Sequence, residues 1–287
     1  MTSNQSQEVM VDYTSTDLQI IRMIQRGKDI DMGLPRWARR SNPLVKRELG
    51  TAWRTMLPEF GFLRQAFIIQ TILIALTLPF PFLIELALPT VTAAIILLPF
   101  AMIIYARVLV IVSSAGARSF TDELQNDTLN VLRTTPYSLR EIIASKAAAA
   151  MWRQVEDLGL LMVGVALLST PLLISYYGTL WPLDQNPLLS RVAIILGLGI
   201  SIIRMLLEPF MVAMIGILMG TALRTRSAAI LGTLFVSGFY FLLINLPRLI
   251  HMSWPVRFIV DFVLPLALPV LIIGLVIWLT SHLIERD

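Results

Sequence analysis

Six blocks of apolar sequence, each long enough for about 20 residues of helix, constrain this chain more than any other feature. They run roughly over Gln65–Leu86, Pro89–Ser113, Leu158–Tyr177, Arg191–Ala222, Ala228–Leu246 and Ile259–Leu283. Inside a bilayer only structures that satisfy their own backbone hydrogen bonds survive, and blocks of this length do so as helices. Composition agrees, with 56% hydrophobic and 15% charged residues against about 45–50% and about 25% in soluble domains. The pattern predicts an all-α membrane protein with six transmembrane helices. Only Glu85 and a few prolines ending at Pro89 separate the first two blocks, which predicts a tight helical hairpin there. No secretory leader is expected, because the first block begins near Phe67 behind a long polar segment.

The absence of Cys removes disulfides, thiolate metal sites, iron–sulfur ligation and cysteine nucleophiles together. Two histidines, His251 and His282, are too few for a multi-histidine metal or haem site. The net charge of +4 does not imply a nucleic-acid partner, since basic residues in a membrane chain gather on the cytoplasmic side. Eighteen Lys and Arg fall in segments on one side of the six blocks, among them Arg36, Lys46, Arg118, Lys146, Arg224 and Arg286. Only Arg191, Arg248 and Arg257 fall on the other. This asymmetry predicts both termini in the cytoplasm, and the chain is expected in the plasma (inner) membrane. Trp181, Trp254 and Tyr176–Tyr177 stand where outer-interface aromatics are expected, and Trp53 and Trp152 where inner ones are.

Three parts follow from this reading: a cytoplasmic segment over 1–41, an amphipathic connecting helix over 42–60, and a transmembrane domain over 61–287 with a long cytoplasmic loop at 114–157. Met1–Asp12 is polar and expected to be disordered, and Thr16-x-x-Gln19 opens a short helix that ends at Gly27. Asn42 as N-cap and Pro43 at the first helical position start the connecting helix. Val45, Leu49, Ala52, Trp53 and Met56 form its apolar stripe, while Lys46, Arg47 and Arg54 occupy the remaining surface. Such a helix is expected in the headgroup plane, against membrane lipid; packing on other protein is the alternative. In the loop, Ser119–Arg133 has amphipathic spacing through Phe120, Leu124, Leu129 and Leu132. Thr134-Thr135-Pro136-Tyr137 breaks it, and Ser138-x-x-Glu141 restarts a helix as a capping box. The predicted result is a helix–turn–helix elbow below the membrane, its second helix, Leu139–Ala150, leading into the third span.

The run from Asp122 to Lys146 resembles the first cytoplasmic loop of ABC-2 type transporter permeases. Glu123, Thr128, Leu129, Leu132, Thr135, Pro136, Ser138, Glu141, Ile142 and Lys146 fit that pattern, whereas Gln125, Asp127 and Ser145 depart from it. Asn42-Pro-Leu-Val-Lys-Arg-Glu-Leu49 is similar to the opening of many such permeases. The resemblance implies one permease subunit of an ATP-binding-cassette exporter. It would pair with a second permease, as homo- or heterodimer, and dock on separate ATPase subunits. ATP and Mg would belong to those subunits. This chain has no G-x-x-x-x-G-K-[ST] loop, and Gly197-x-Gly199 lies inside a span, so it is not expected to be an enzyme. The resemblance assigns ATPase coupling to Glu123, Thr128, Leu129, Thr135, Pro136, Tyr137, Ser138, Arg140, Glu141 and Lys146, with Arg224 and Arg226 nearby. The alternative is a non-transporting scaffold in a larger membrane complex.

Charges inside the spans are the remaining candidates, because a charge at bilayer depth costs roughly 2.5–3.5 kcal/mol even on lenient scales. Arg204 and Glu208 are four apart and can pair, and Pro209 follows at once. The expectation is a kinked, hydrated patch, serving as pathway lining, as a hinge, or as an ion pair between helices. Arg107 is expected to snorkel and Asp261 to sit in the interface. Gly216-x-x-x-Gly220, with Gly232 and Gly238, suggests a permease–permease seam. Pro265 and Pro269 suggest a broken or re-entrant start to the last span.

Overall fold

The computed structural model describes residues 31–50, 60–126, 128, 134–180, 186–250 and 252–286, and every regular element among them is helical. A 3-10 turn (Arg36–Ala38) precedes α1 (Pro43–Leu49), α2 (Phe60–Leu76) and α3 (Phe82–Gln125). After the elbow come α4 (Leu139–Trp152), α5 (Val155–Leu180), α6 (Pro187–Leu223) and α7 (Arg226–Asn245). A 3-10 turn (Leu246–Leu249) leads to α8 (Trp254–Phe258), a π-helical turn (Ile259–Val263) and α9 (Leu264–Arg286). Five rods are long and apolar enough to cross a membrane: α3, α5, α6, α7 with its 3-10 turn, and α8–α9 taken together. The sixth expected span, α2, is apolar but only 17 residues long, roughly 26 Å against about 30 Å of hydrocarbon.

The first break falls earlier than expected. The chain leaves α2 at Thr77–Pro81, where Pro79 and Pro81 interrupt the helix, and α3 runs on through Pro89 and Pro99. α2 packs chiefly on α5 and α6. Its end is held by Arg191 of α6, whose Nε donates to Thr77 Oγ1 at 3.0 Å and whose second terminal nitrogen donates to the Thr77 carbonyl at 2.9 Å. A guanidinium suits the carbonyl-rich end of a helix. The segment expected as a separate helix over Ser119–Arg133 begins as the end of α3, because nothing between Ser113 and Gln125 stops that helix. With 44 residues, α3 is roughly 66 Å long and projects well beyond the hydrocarbon.

α6 is the central post. α3, α5, α7 and α9 all pack on it, and its half from Glu208 to Thr221 is buried almost throughout. The closest approach is with α3, where three glycines let two backbones touch. A Cβ on Gly216 would lie 2.7 Å from the Ser113 carbonyl oxygen, and one on Gly220 would lie 2.5 Å from that of Ala117. Gly116 stands just as tightly against the Ala213 carbonyl. The Gly216–Gly220 pair is thus a seam inside one chain, not between permeases as expected. Gly238 has open space around it. The last rod is also continuous and not re-entrant. Its irregularity is the π turn just ahead of Pro265, where the Leu264 N–H reaches back to the Ile259 carbonyl. The wider turn relieves the clash between a proline ring and the carbonyl four residues earlier.

Gly216→Ala should therefore lower the unfolding midpoint in detergent, by about 1–3 kcal/mol of overpacking, whereas Gly238→Ala should leave it unchanged. Thermal unfolding followed by tryptophan fluorescence compares the two.

Candidate functional site

Two polar assemblies stand out against the apolar helices. The first is built where α1, the end of α3, α4 and the α6–α7 turn meet. Ser138 caps α4: its Oγ accepts from the Glu141 N–H at 3.3 Å, and Glu141 Oε2 accepts from the Ser138 N–H at 3.0 Å. The expected capping box is present, and Thr134–Tyr137 form the expected break. Pro136, Ser138 and Arg140 are exposed at this tip. Behind it α4 is buried continuously from Ile142 to Ala150. Leu44 of α1 packs on Ile142 and Tyr137, and Val45 and Leu49 pack on Ala149. Asn42 caps α1 through Oδ1, which accepts from the Leu44 N–H at 2.9 Å, and its Nδ2 reaches the Arg36 carbonyl at 3.0 Å. The described part of the expected membrane-surface helix is thus only seven residues, with its apolar face on protein instead of lipid. Trp53 lies outside the described residues, as do Thr16–Gln19, Trp181, Leu129 and Leu132.

Lys146 forms the centre of this assembly. Its ammonium is 3% exposed as a residue and donates to Glu48 Oε1 at 2.7 Å, the Ser119 carbonyl at 2.9 Å and Glu123 Oε1 at 3.2 Å. Arg47 also pairs with Glu123, and the Thr128 hydroxyl donates to the same carboxylate. Two cations and two carboxylates balance, and each Lys146 proton has an acceptor. Arg226 pairs with Asp122 at 2.8 Å, and Gln125 Nε2 donates to the Arg224 carbonyl at 3.2 Å. Arg224 takes a left-handed conformation, φ 51°, to make the tight α6–α7 turn. The Trp152 indole donates to the Ala38 carbonyl at 2.8 Å, with the Arg40 guanidinium 5.6 Å above its ring. Burial holds Arg40 below its ordinary value, an effect Asp31 opposes. Trp37, in the same 3-10 turn as Ala38, places its ring 5.4 Å from Phe210 of α6.

The second assembly surrounds Glu208. Arg204 approaches its Oε1 at 2.6 and 2.7 Å, the Tyr240 hydroxyl donates to Oε1 at 3.1 Å, and the Tyr105 hydroxyl donates to Oε2 at 2.5 Å. Glu208 is 2% exposed and lies in the main apolar core, and α6 continues through Pro209. The expected Arg204–Glu208 pair is present, and with the two tyrosines it ties α3, α6 and α7 together. Arg107 is exposed on α3. Asp261 is buried within the protein and is paired with Arg257 and Arg248.

Sequence reasoning missed Glu48, Ser119, Asp122, Tyr105 and Tyr240. Glu48 lies within the recognised Asn42–Leu49 stretch, yet its partner is 98 positions away, and no spacing rule connects them. The two tyrosines look like ordinary apolar filling until the fold brings both hydroxyls to one carboxylate.

Lys146→Met should remove three bonds and leave Glu48 and Glu123 facing each other. Loss of one member of a buried charge set costs about 3–5 kcal/mol, so the unfolding midpoint should drop sharply, while Arg118→Gln on exposed α3 surface should leave it intact. Glu208→Gln should strand Arg204 and reduce folded yield more than Arg107→Gln does, as read by size-exclusion chromatography in mild detergent.

Residues 1–254 match the family described as ABC-2 family transporter protein. Comparison with curated proteins and with solved structures returned no match. The family match covers most of the chain and agrees with the long apolar helices, the capped elbow and the motif over Asp122–Lys146. The chain belongs to the ABC-2 transporter family and is an integral, multi-pass membrane protein.

Proposed function

We propose that this chain is the permease subunit of an ATP-driven exporter and that the elbow is its contact with a separate ATPase subunit. The observation that carries this reading is the form of the elbow. A capped helix start with an exposed tip is backed by nine consecutive buried residues, so force applied at Pro136–Arg140 is delivered to the bundle and not absorbed by a loop. Thr135, Pro136, Tyr137, Ser138, Arg140 and Glu141 form the ATPase-facing surface. Glu123, Thr128 and Lys146 tie it to α3, while Arg224 and Arg226 bring α6 and α7 to the same place. A second route runs from Trp152 through the Arg36–Ala38 turn to Phe210, next to Pro209 and Glu208. Movement of α4 thereby reaches the middle of α6, where three helices share one carboxylate.

The protein sits in the plasma membrane in this reading, and the charge asymmetry of the polar segments supports a cytoplasmic elbow and cytoplasmic termini. α3 supports pairing with a second permease. Ile95, Ile96, Phe100, Met102 and Ile103 are exposed along it, and in the membrane such a face meets lipid or another copy. ATP and Mg are held by the ATPase subunits.

Pro136→Gly and Glu141→Ala, placed in the chain co-expressed with its ATPase partner, test the coupling role. Glu141→Ala removes half of a capping box, about 1 kcal/mol, which leaves insertion and folding intact. Both variants should retain the ATPase in pull-downs or bind it more weakly, and both should lose transport per ATP hydrolysed in proteoliposomes. Normal coupled transport in both would refute the assignment.

A further inference from the structure

The end of the bundle opposite the elbow holds a cation that the coupling scheme does not use. α7 starts at Arg226 beside Asp122 and ends at Asn245, so Arg248 in the following 3-10 turn lies at the far end. There Asp261 Oδ2 accepts from Arg257 Nε at 3.0 Å, with the Tyr176 hydroxyl 3.5 Å away. Arg257 also donates to the Arg248 carbonyl at 3.0 Å and stands 5.3 Å over the Tyr176 ring. Its bonding is well met.

Arg248 is in a different position. Its Nε comes within 3.3 Å of Asp261 Oδ1, close enough for an ion pair, yet it is buried without an aligned hydrogen-bond partner. Its one described side-chain hydrogen bond is a long one, 3.4 Å from a terminal nitrogen to Asn245 Oδ1. A guanidinium carries five N–H donors, so most of this one's capacity is unused. Arg204 cannot share a carboxylate with it, being committed to Glu208, and it lies near enough to repel Arg248 electrostatically. Among the described residues, Arg248 and Arg257 share the one carboxylate of Asp261, and Arg248 is the less satisfied of the two.

The side chains beside it are apolar and open. Leu249 is 84% exposed, Ile250 57% and Trp254 63%, while the Arg248 side chain keeps 26% of its surface accessible. An unfilled guanidinium next to an exposed apolar strip matches a molecule with an anionic head and a hydrocarbon tail. Guanidinium donors suit phosphate oxygens in particular.

We propose that Arg248, backed by Arg257, binds the phosphate of an anionic phospholipid whose acyl chains lie along Leu249, Ile250 and Trp254. The third and fourth donors of Arg248 bond the phosphate oxygens, and the lipid's charge neutralises the surplus cation. The site belongs to this chain alone and does not depend on the ATPase reading.

Native mass spectrometry of the purified full chain in mild detergent tests it, with phosphatidylglycerol and phosphatidylcholine as competing probes. The wild-type chain should retain phosphatidylglycerol over phosphatidylcholine by about tenfold, the equivalent of one favourable charge contact. Arg248→Gln should abolish that preference, Arg248→Lys should keep part of it, and Arg118→Gln at the elbow end should keep all of it. Equal retention of both lipids by the wild-type chain would overturn the proposal even if Arg248→Gln fails to fold. So would a preference that survives in Arg248→Gln. Displacement of the lipid by excess inorganic phosphate would show a site for a free anion and would overturn the amphiphile assignment. Because no ATPase is present, the result is separable from any failure of coupling.

Discussion

The Lys146 ammonium is the interaction on which the elbow end of this protein depends. Out of water, an ammonium is tolerated only if charges and acceptors surround it, and here donor and acceptors together come from three separate helices. Glu48 arrives on α1, Ser119 and Glu123 on the end of α3, and Lys146 itself on α4. None of these can move alone without leaving a buried charge uncompensated. That requirement turns α1, the end of α3 and α4 into one body. It also accounts for the seven-residue α1, which is far too short to be stable as an isolated helix and is held by Val45 and Leu49 against α4.

Inside the membrane the same logic operates at Glu208, with different materials. A carboxylate in an apolar core is held by one guanidinium and two phenol hydroxyls, and these again come from three helices. Between the two polar centres runs the Gly116–Gly216–Gly220 seam, where α3 and α6 are close enough to move together. The two centres are therefore joined both through backbone packing and through the Trp152–Ala38 and Trp37–Phe210 contacts. The long, single α3 carries Ser119 and Glu123 of the first centre and Tyr105 of the second on one continuous helix.

Much of this was legible in the chain. The capping box at Ser138–Glu141, the Asn42–Pro43 helix start and the Arg204–Glu208 pair are local rules over two to four residues, and all three appear as expected. Features that depend on what a helix packs against were not legible. A hydrophobic stripe on Val45 and Leu49 suits lipid and protein equally, and only the presence of Ala149 opposite it decides the matter. Gly216 and Gly220 advertise close packing without naming the partner. Proline signals were ambiguous in the same way. Pro79 and Pro81 end α2, whereas Pro89, Pro99, Pro171, Pro209 and Pro269 lie inside continuous helices, because neighbouring turns and packing absorb the lost bond.

By itself, then, the amino-acid sequence determined that the chain is helical, that it crosses the bilayer several times and where its elbow turns. These follow from the cost of unpaired backbone groups in hydrocarbon and from side chains bonding within one turn of helix, both of which act over short distances. Only the tertiary structure decided that Lys146 meets Glu48, that two tyrosines close over Glu208, that the glycine seam lies within the chain and that Arg248 is left with spare donors. Those outcomes depend on residues roughly thirty to a hundred positions apart, and side chains separated so far become neighbours only when the helices that carry them have packed.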